Sequence, residues 1–119
     1  MKLNHINLPV ATVPETRAFF ETYFGFRCIR ETRGKDFVVL VDDGGLALAL
    51  STSDGVRTEH YPHHFHIGFM QDSDAHVDAI HSRLRAAGAA VDEPKNLHGA
   101  WAFYFTAPGG IVVEVLHQH

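Results

Sequence analysis

Residues 65–70 read Phe-His-Ile-Gly-Phe-Met and restart a pattern that residues 3–10, Leu-Asn-His-Ile-Asn-Leu-Pro-Val, have already opened. Both stretches alternate apolar and polar side chains, which predicts a β-strand with one buried face. A segment with the signals of a helix follows each strand, and Gly25 after the first helix corresponds to Gly88 after the second. The sequence therefore predicts one structural unit that is written twice.

The first repeat predicts a strand, a helix and three further strands. Thr12 and Glu15 stand at the spacing of a capping box, Pro14 lies in the first helical turn, and Gly25 lies just beyond the end. The three predicted strands that follow the helix cover residues 26–31, 36–41 and 46–51.

The second repeat has the same order of elements. Its opening strand, Phe65–Met70, places Phe65, Ile67 and Phe69 on the core face. Its helix begins near Ser73 and ends at Gly88. The predicted strands after it cover residues 89–92, 101–106 and 111–117, and a polar linker, residues 52–62, joins the repeats.

One βαβββ unit of this size cannot bury both faces of its sheet, so either two such units combine or a second chain supplies the missing cover. The prediction is a single α+β domain spanning residues 1–119, with module 1 at about residues 1–53 and module 2 at about residues 62–119. Two βαβββ modules in tandem would form a curved mixed sheet around a cleft.

Composition excludes several functional classes. The chain is 45% hydrophobic and 20% charged, as in ordinary globular domains, and its formal net charge is −4. No basic run and no long apolar segment appears, so neither a nucleic acid nor a membrane is an expected partner. The single cysteine, Cys28, excludes an internal disulfide and fits a reducing compartment, so the expected location is cytoplasmic.

Histidine is unusually common, with ten in 119 residues. Neutral imidazole is the commonest metal ligand in proteins, so the composition itself raises the question of a metal site. Some of these histidines are interpreted as solvated side chains that bind nickel or zinc adventitiously: His60, His63, His117 and His119.

Strand alternation places three potential metal ligands on the faces that point away from the helices. His5 shares such a face with Asn7, His66 shares one with His64, and Glu114 lies on the face opposite the inward-pointing valines of the last strand. Two imidazoles and one carboxylate form the facial triad that leaves open positions on iron(II) or a similar ion. The alternative stays open that each histidine is structural and that Glu114 reaches solvent or pairs with an arginine.

Four stretches resemble the vicinal oxygen chelate superfamily, which includes glyoxalase I, extradiol dioxygenases, fosfomycin-modifying thiol transferases and bleomycin-binding proteins. They are residues 4–8, 18–26, 65–69 and 103–114. The resemblance implies the paired-module fold, one divalent metal ion held by His5, His66 and Glu114, and a small-molecule substrate. It also implies a homodimer in which each site is shared between chains.

The first module departs from glyoxalase I at one position. Glyoxalase I and related epimerases carry a fourth ligand, Glu or Gln, on the last strand of the first half. Ala49 stands there in this chain, four residues after Gly45, as Glu114 stands four residues after Gly110. The resemblance therefore favours a two-His-one-Glu site, as in dioxygenases or fosfomycin transferases.

A second resemblance concerns the run from Asn96 to Glu114, which is similar to the extradiol dioxygenase motif with a spacer one residue shorter. It implies that Tyr104 orients a substrate oxygen and that His98 acts as an acid, a base or a hydrogen-bond donor. The alternative is that Tyr104 only lines the cleft and His98 lies in an exposed loop. Further substrate contacts are expected from His64, Asn7 and Trp101.

The leading hypothesis is a divalent-metal enzyme that acts on a small oxygenated molecule, with ring-cleavage dioxygenase chemistry favoured. Iron(II) follows from that preference, while manganese, zinc and nickel stay open. A glyoxalase-like lyase or isomerase, or a thiol transferase, is the first alternative. The second is a metal-free binding protein of the bleomycin-resistance type, whose groove would use Trp101, Tyr104, Tyr61 and Phe69.

Overall fold

The computed structural model describes residues 1–34, 36–52 and 61–119. Most of the predicted linker, including His60, lies outside the described residues. Contacts divide the chain into two compact units: Met1–Tyr61 with Pro108–Gly110, and Pro62–Ala107 with Ile111–His119. Among the described helices, none is both long enough and apolar enough to cross a membrane.

Each unit contains one helix and one four-stranded sheet. The first has β1 (His5–Pro9), α1 (Val13–Phe24), β2 (Arg27–Glu31), β3 (Phe37–Val41) and β4 (Ala47–Ser51). The second has β5 (Ile67–Met70), α2 (Asp74–Ala86), β6 (Lys95–Leu97), β7 (Ala100–Thr106) and β8 (Val112–Gln118). The strand orders, β1-β4-β3-β2 and β5-β8-β7-β6, are the same topology. The predicted α+β fold of two βαβββ modules is confirmed.

In each unit the helix covers one face of the sheet, with α1 on β2, β3 and β4, and α2 on β7 and β8. The buried residues follow the predicted alternation: Leu8 and Val10 are buried, whereas His5 and Asn7 are exposed. The core of the first unit includes Phe20, Val38, Leu40, Leu48 and Leu50, and that of the second includes Val77, Leu84, Phe103, Val113 and Val115.

Strand register shows which residues of the two units are equivalent. Ala49 on β4 pairs with Val39 on β3, just as Glu114 on β8 pairs with Tyr104 on β7. The opposite neighbour of Ala49 is Asn7, across a parallel pairing that β5 and β8 repeat. The alanine therefore occupies the position in the first unit that Glu114 occupies in the second.

The predicted capping box at the start of α1 was wrong. Thr12 is the N-cap residue, but its side chain makes no capping hydrogen bond and its buried hydroxyl oxygen has no partner. Pro14, in the first turn, has no amide hydrogen to donate to it. By contrast, Ser73 caps α2 by accepting a hydrogen bond of 3.2 Å from the amide of His76.

The predicted strand at residues 89–92 was also wrong. Only Val91 makes an isolated bridge there, to Phe105, and the strand beside β7 is β6. The reason lies in the two-residue turn that joins β6 to β7, because His98 and Gly99 have φ values of 49° and 80°. Two positive values are typical of the type I′ hairpin turn, which pairs the residues immediately before it with those immediately after it.

Phe65 does not lie on the core face as the alternation of residues 65–70 predicted. It precedes β5, its amide donates a 3.0 Å hydrogen bond to the carbonyl of Pro62, and it is 39% exposed. The backbone is still turning at this point, since His64 has a φ of 71°. The period of a strand therefore does not yet apply to Phe65.

Residues 108–110 belong to the first unit through contacts with α1. The fully buried Thr16 hydroxyl lies 2.9 Å from the carbonyl oxygen of Pro108 and 2.6 Å from that of Thr12. Gly109 packs against this hydroxyl with a φ of 91°, and a Cβ there would also come within 3.0 Å of Val10 Cβ. This turn therefore requires glycine for both conformation and space.

Substituting Gly109 should destabilise the fold more than substituting its neighbour. Gly110 also has a positive φ, 96°, but a Cβ there would meet nothing within 4 Å. Gly110→Ala should cost about 1–2 kcal/mol of unfolding free energy from backbone strain, and Gly109→Ala about 1–3 kcal/mol more from overpacking. Urea unfolding of both variants measures the difference, and equal losses would contradict this packing.

Candidate functional site

The second unit brings His66 and Glu114 together. His66 Nε2 lies 3.2 Å from Glu114 Oε2, at the place where the chain enters β5 and runs parallel to β8. The Glu114 side chain is 15% exposed and the His66 side chain 38% exposed. A carboxylate that is this well buried is costly without a counter-charge or hydrogen-bond donors. The imidazole of His66 is therefore the first group that can compensate the charge of Glu114.

A backbone carbonyl fixes the orientation of the His66 ring. Nδ1 lies 2.9 Å from the carbonyl oxygen of His64, and because a carbonyl only accepts, Nδ1 must carry the hydrogen. In the neutral ring, Nε2 then holds its lone pair towards Glu114. Two electron-pair donors then face each other across 3.2 Å, an arrangement that a shared cation would stabilise.

Tyr104 is the third member of this group. It pairs with Glu114 across β7 and β8, and its ring lies edge-on to His66 with the ring centroids 5.5 Å apart. Desolvation first, and then a hydrogen bond to Glu114 and the negative charge of that carboxylate, raise the pKa of Tyr104 to about 12. The phenol therefore keeps its proton at neutral pH and donates a hydrogen bond to the carboxylate.

Gly68 keeps the space beside the carboxylate open. It pairs directly with Glu114, and a Cβ at this position would lie 3.8 Å from Glu114 Oε2 and 3.6 Å from the Leu116 side chain. Because glycine has no side chain, nothing from this residue covers the carboxylate. The opening lies on the sheet face that points away from α2.

The donor atoms fit a divalent metal ion. An imidazole nitrogen and a carboxylate oxygen converge, and the other ring nitrogen of His66 donates to a carbonyl, as histidine metal ligands usually do. Iron(II), manganese, zinc and nickel all accept this nitrogen and oxygen set. Within the second unit, His66 and Glu114 would supply two ligands.

His5 in the first unit has the same arrangement of ring nitrogens as His66. Its Nδ1 lies 2.7 Å from Asn4 Oδ1, an oxygen that can only accept, so Nδ1 carries the hydrogen and Nε2 is left with its lone pair. Asn7, on the same exposed face of β1, accepts a 2.8 Å hydrogen bond from the Ser51 hydroxyl. The substrate contact predicted for Asn7 stays a prediction.

Trp101 lies outside the His66–Glu114–Tyr104 group, and the substrate contact predicted for it stays a prediction. Its indole nitrogen donates a 2.8 Å hydrogen bond to Asp78 on α2, which places its ring on the helix-covered side of the sheet. The alternation along β7 puts Trp101 on the face opposite Tyr104. The sequence therefore contained this signal, but the prediction gave more weight to the aromatic character of Trp101.

His98 also stands apart from this group. It occupies the exposed turn before β7, and Gly99 and the first four residues of β7 separate it from Tyr104. At about 3.4 Å per residue, its backbone lies well over 10 Å along the strand from Tyr104. The predicted acid–base role of His98 therefore finds no support within its own unit, and the turn explains its position.

Other predicted histidines make contacts of their own. The His64 ring lies at a tilt against His63 with centroids 4.0 Å apart, and the His64 carbonyl supports His66. The substrate contact predicted for His64 stays a prediction. His117 and His119, interpreted from the sequence as solvated, both contact Asp74 at the start of α2. The signal for this contact is their spacing of two along a strand, which puts both on one face.

The raised pKa of Tyr104 predicts a distinct titration in the metal-free protein. Because the pKa of Tyr104 is about 12 in the folded protein against its ordinary value of 10.0, the protonated phenol stabilises the fold below pH 10, and this contribution is lost as pH rises through 12. Near-ultraviolet tyrosinate absorbance should show one late transition that Tyr104→Phe removes. Glu114→Gln should lower that pKa towards 10; an unchanged transition would contradict the contact.

Comparisons with known proteins agree with this architecture. A structure of a possible glyoxalase from Bacillus cereus is 44% identical, covers 98% of each chain and superposes with a TM-score of 0.86. Lactoylglutathione lyase from Agrobacterium tumefaciens is 20% identical over 98% of this chain and 92% of its own, with a TM-score of 0.76, and so shows the shared fold alone.

Sequence comparison adds a relative and a family. An uncharacterized protein of Pseudomonas aeruginosa is 28% identical over 128 residues, covering 94% of this chain and 85% of its own. The family model of the glyoxalase/bleomycin resistance protein/dioxygenase superfamily matches residues 2–115. This match covers nearly the whole chain, both units included. The chain therefore belongs to the glyoxalase/bleomycin resistance protein/dioxygenase superfamily.

Proposed function

We propose that this protein is a divalent-metal-dependent enzyme that acts on a small molecule with two adjacent oxygen atoms. The observation that carries the proposal is the 3.2 Å approach of His66 Nε2 to Glu114 Oε2, with Nδ1 of the same ring held by a carbonyl. The superfamily is typically metal-dependent and its members bind small molecules, which supports the same assignment. A bound divalent ion would supply Lewis-acid chemistry to the substrate oxygens.

His66 and Glu114 act here as preorganised ligands. The His64 carbonyl prevents the His66 ring from flipping, so little conformational entropy is lost when Nε2 becomes a ligand. Glu114 is held by its two strand partners and is shielded from most solvent, which strengthens its attraction for a cation. Both features favour metal binding over a simple surface ion pair.

Tyr104 acts as a hydrogen-bond donor at the same place. The phenol keeps its proton at neutral pH and donates a hydrogen bond to Glu114 when no substrate is present. A substrate oxygen that approaches Glu114 from the open side of Gly68 would compete for this proton. Tyr104 would then orient the substrate by donating to that oxygen, as the sequence predicted for it.

The third ligand in this proposal is His5. It is prepared in the same way as His66, with Nδ1 hydrogen-bonded and Nε2 available. Superfamily members often form dimers. We propose that the protein forms a homodimer in which the partner subunit's His5 completes the ligand set of His66 and Glu114.

Ring cleavage of a catechol with molecular oxygen is the finer chemistry that the two-His-one-Glu set favours, and iron(II) is then the expected ion. Ala49, at the register position of Glu114, removes the fourth ligand that a glyoxalase-like site would use. A lyase, isomerase or thiol transferase is the alternative that the Agrobacterium lactoylglutathione lyase and the Listeria monocytogenes fosfomycin resistance protein, similar in fold, make worth testing.

Removing Glu114 should remove about one equivalent of bound metal per chain from protein reconstituted with iron, manganese or zinc. Glu114→Ala should weaken the affinity of that site at least about 100-fold, since even the loss of an outer partner costs 10–100-fold. Metal content by mass spectrometry on anaerobically purified, untagged protein measures the loss. The matched control is Glu15→Ala, an exposed glutamate on α1.

The same preparations then decide the chemistry. Iron-loaded protein should consume oxygen with a catechol and lose this activity in Glu114→Ala, while Glu15→Ala stays active. Turnover of a glutathione hemithioacetal or of fosfomycin with a thiol would replace ring cleavage by the alternative chemistry. Absent or substoichiometric metal in both the unsubstituted protein and Glu114→Ala, even after reconstitution, together with tight binding of an aromatic ligand, would overturn the enzyme in favour of a metal-free binding protein.

Mixing two inactive variants tests the shared site. His5→Ala and Glu114→Ala should each lack the metal as homodimers, yet re-equilibrated mixtures should regain it in about a quarter of the sites, because each heterodimer has one intact set. No recovery after verified subunit exchange would show that one chain supplies all three ligands. A protein that is monomeric with full metal occupancy would contradict the dimer.

A further inference from the structure

A second cluster of metal-ligating side chains lies where the end of β8 meets the start of α2. His117 Nδ1 is 2.7 Å from Asp74 Oδ1, and His119 Nε2 is 2.9 Å from the same oxygen and 3.1 Å from Oδ2. The ligand atoms of the three residues all lie within 4.8 Å of one another. Asp74 thus meets two histidines that lie 43 and 45 residues away in the sequence.

This cluster is separate from the Glu114 group. His117 lies three residues after Glu114 on β8, so it occupies the opposite face of the strand. Its strand partner is Trp101, whose indole bonds to Asp78 on the helix-covered side. The two sets of ligands therefore point away from each other across the second sheet.

The chemistry of the cluster suits a transition metal. Two imidazole nitrogens converge on one carboxylate, and the carboxylate accepts from both rings, so each nitrogen is already aimed at the position that a shared cation would occupy. The side chains are 30% (His117), 45% (His119) and 47% (Asp74) exposed, so an ion can enter and keep a water ligand. Nitrogen-rich sets of this kind hold zinc, nickel or copper rather than magnesium or calcium.

We propose that Asp74, His117 and His119 form a second divalent-metal site, of the zinc class, distinct from the His66–Glu114 site. A bound ion would replace the two ring hydrogens that now point at Asp74 and join the last residues of β8 to the first residue of α2. Its role is structural: an ion that binds only the folded chain stabilises it by mass action.

The test separates this cluster from the other site by working in a Glu114→Ala background. There, zinc should still bind at about one equivalent per chain and raise the melting temperature, while magnesium at equal concentration should do neither. His119→Gln and Asp74→Asn should each abolish both effects. The matched control, His76→Gln, removes an exposed histidine from α2 and should leave both effects unchanged.

A direct readout identifies the ligands even if a variant loses stability. On addition of zinc, the ring nitrogen resonances of His117 Nδ1 and His119 Nε2 should move together and saturate at the same ratio. Zinc binding that persists in His119→Gln, or shifts that are confined to other histidines, would overturn the proposal. Failure of this site leaves the His66–Glu114 proposal untouched, because the background variant has already removed it.

Discussion

The carboxylate of Glu114 is the constraint on which the site depends. It lies on a central strand of its sheet, with only 15% of its side chain exposed, and a charge in that position must be compensated. His66 approaches from one neighbouring strand and Tyr104 from the other. Gly68, the direct strand partner of Glu114, puts no side chain beside the carboxylate. The groups that compensate the Glu114 charge therefore surround an opening, as the ligands of a bound ion would.

The two units show how one topology can carry different chemistry. Both have the same strand order and the same parallel pairing next to the central strand. Where the second unit has Glu114 and Tyr104 in register, the first has Ala49 and Val39, which can neither bind a metal ion nor donate a hydrogen bond. At the register positions that match His66, Glu114 and Tyr104, the described strands of the first unit keep one potential ligand, His5. A fold alone therefore does not decide the function, whereas residues at defined register positions do.

Much of the fold could be predicted because it depends on periodic burial. The alternation of residues 3–10 and the glycines that end both helices predicted the repeat correctly. What the sequence could not show was the effect of local geometry. Because of the I′ turn at His98, the strand beside β7 covers residues 95–97 and not the predicted residues 89–92. The turn before β5 leaves Phe65 exposed.

The candidate site was predictable to the same extent and for the same reason. Alternation placed His66 and Glu114 on the face away from the helices, and the structure adds their 3.2 Å approach and the contact of the His66 ring with Tyr104. Strand parity puts Trp101 on the face opposite Tyr104, where its indole bonds to Asp78. The spacing of His117 and His119 shows that they share a face, but their contact with Asp74 is tertiary and no local pattern predicts it.

The central claim is that His66 Nε2 and Glu114 hold a divalent metal ion. Anomalous diffraction at the metal edge, from crystals of zinc- or iron-loaded protein, tests it most directly. We expect a peak at about 2.0–2.2 Å from both His66 Nε2 and a Glu114 oxygen. Full loading with a peak at Asp74, His117 and His119 but none at Glu114 would contradict it.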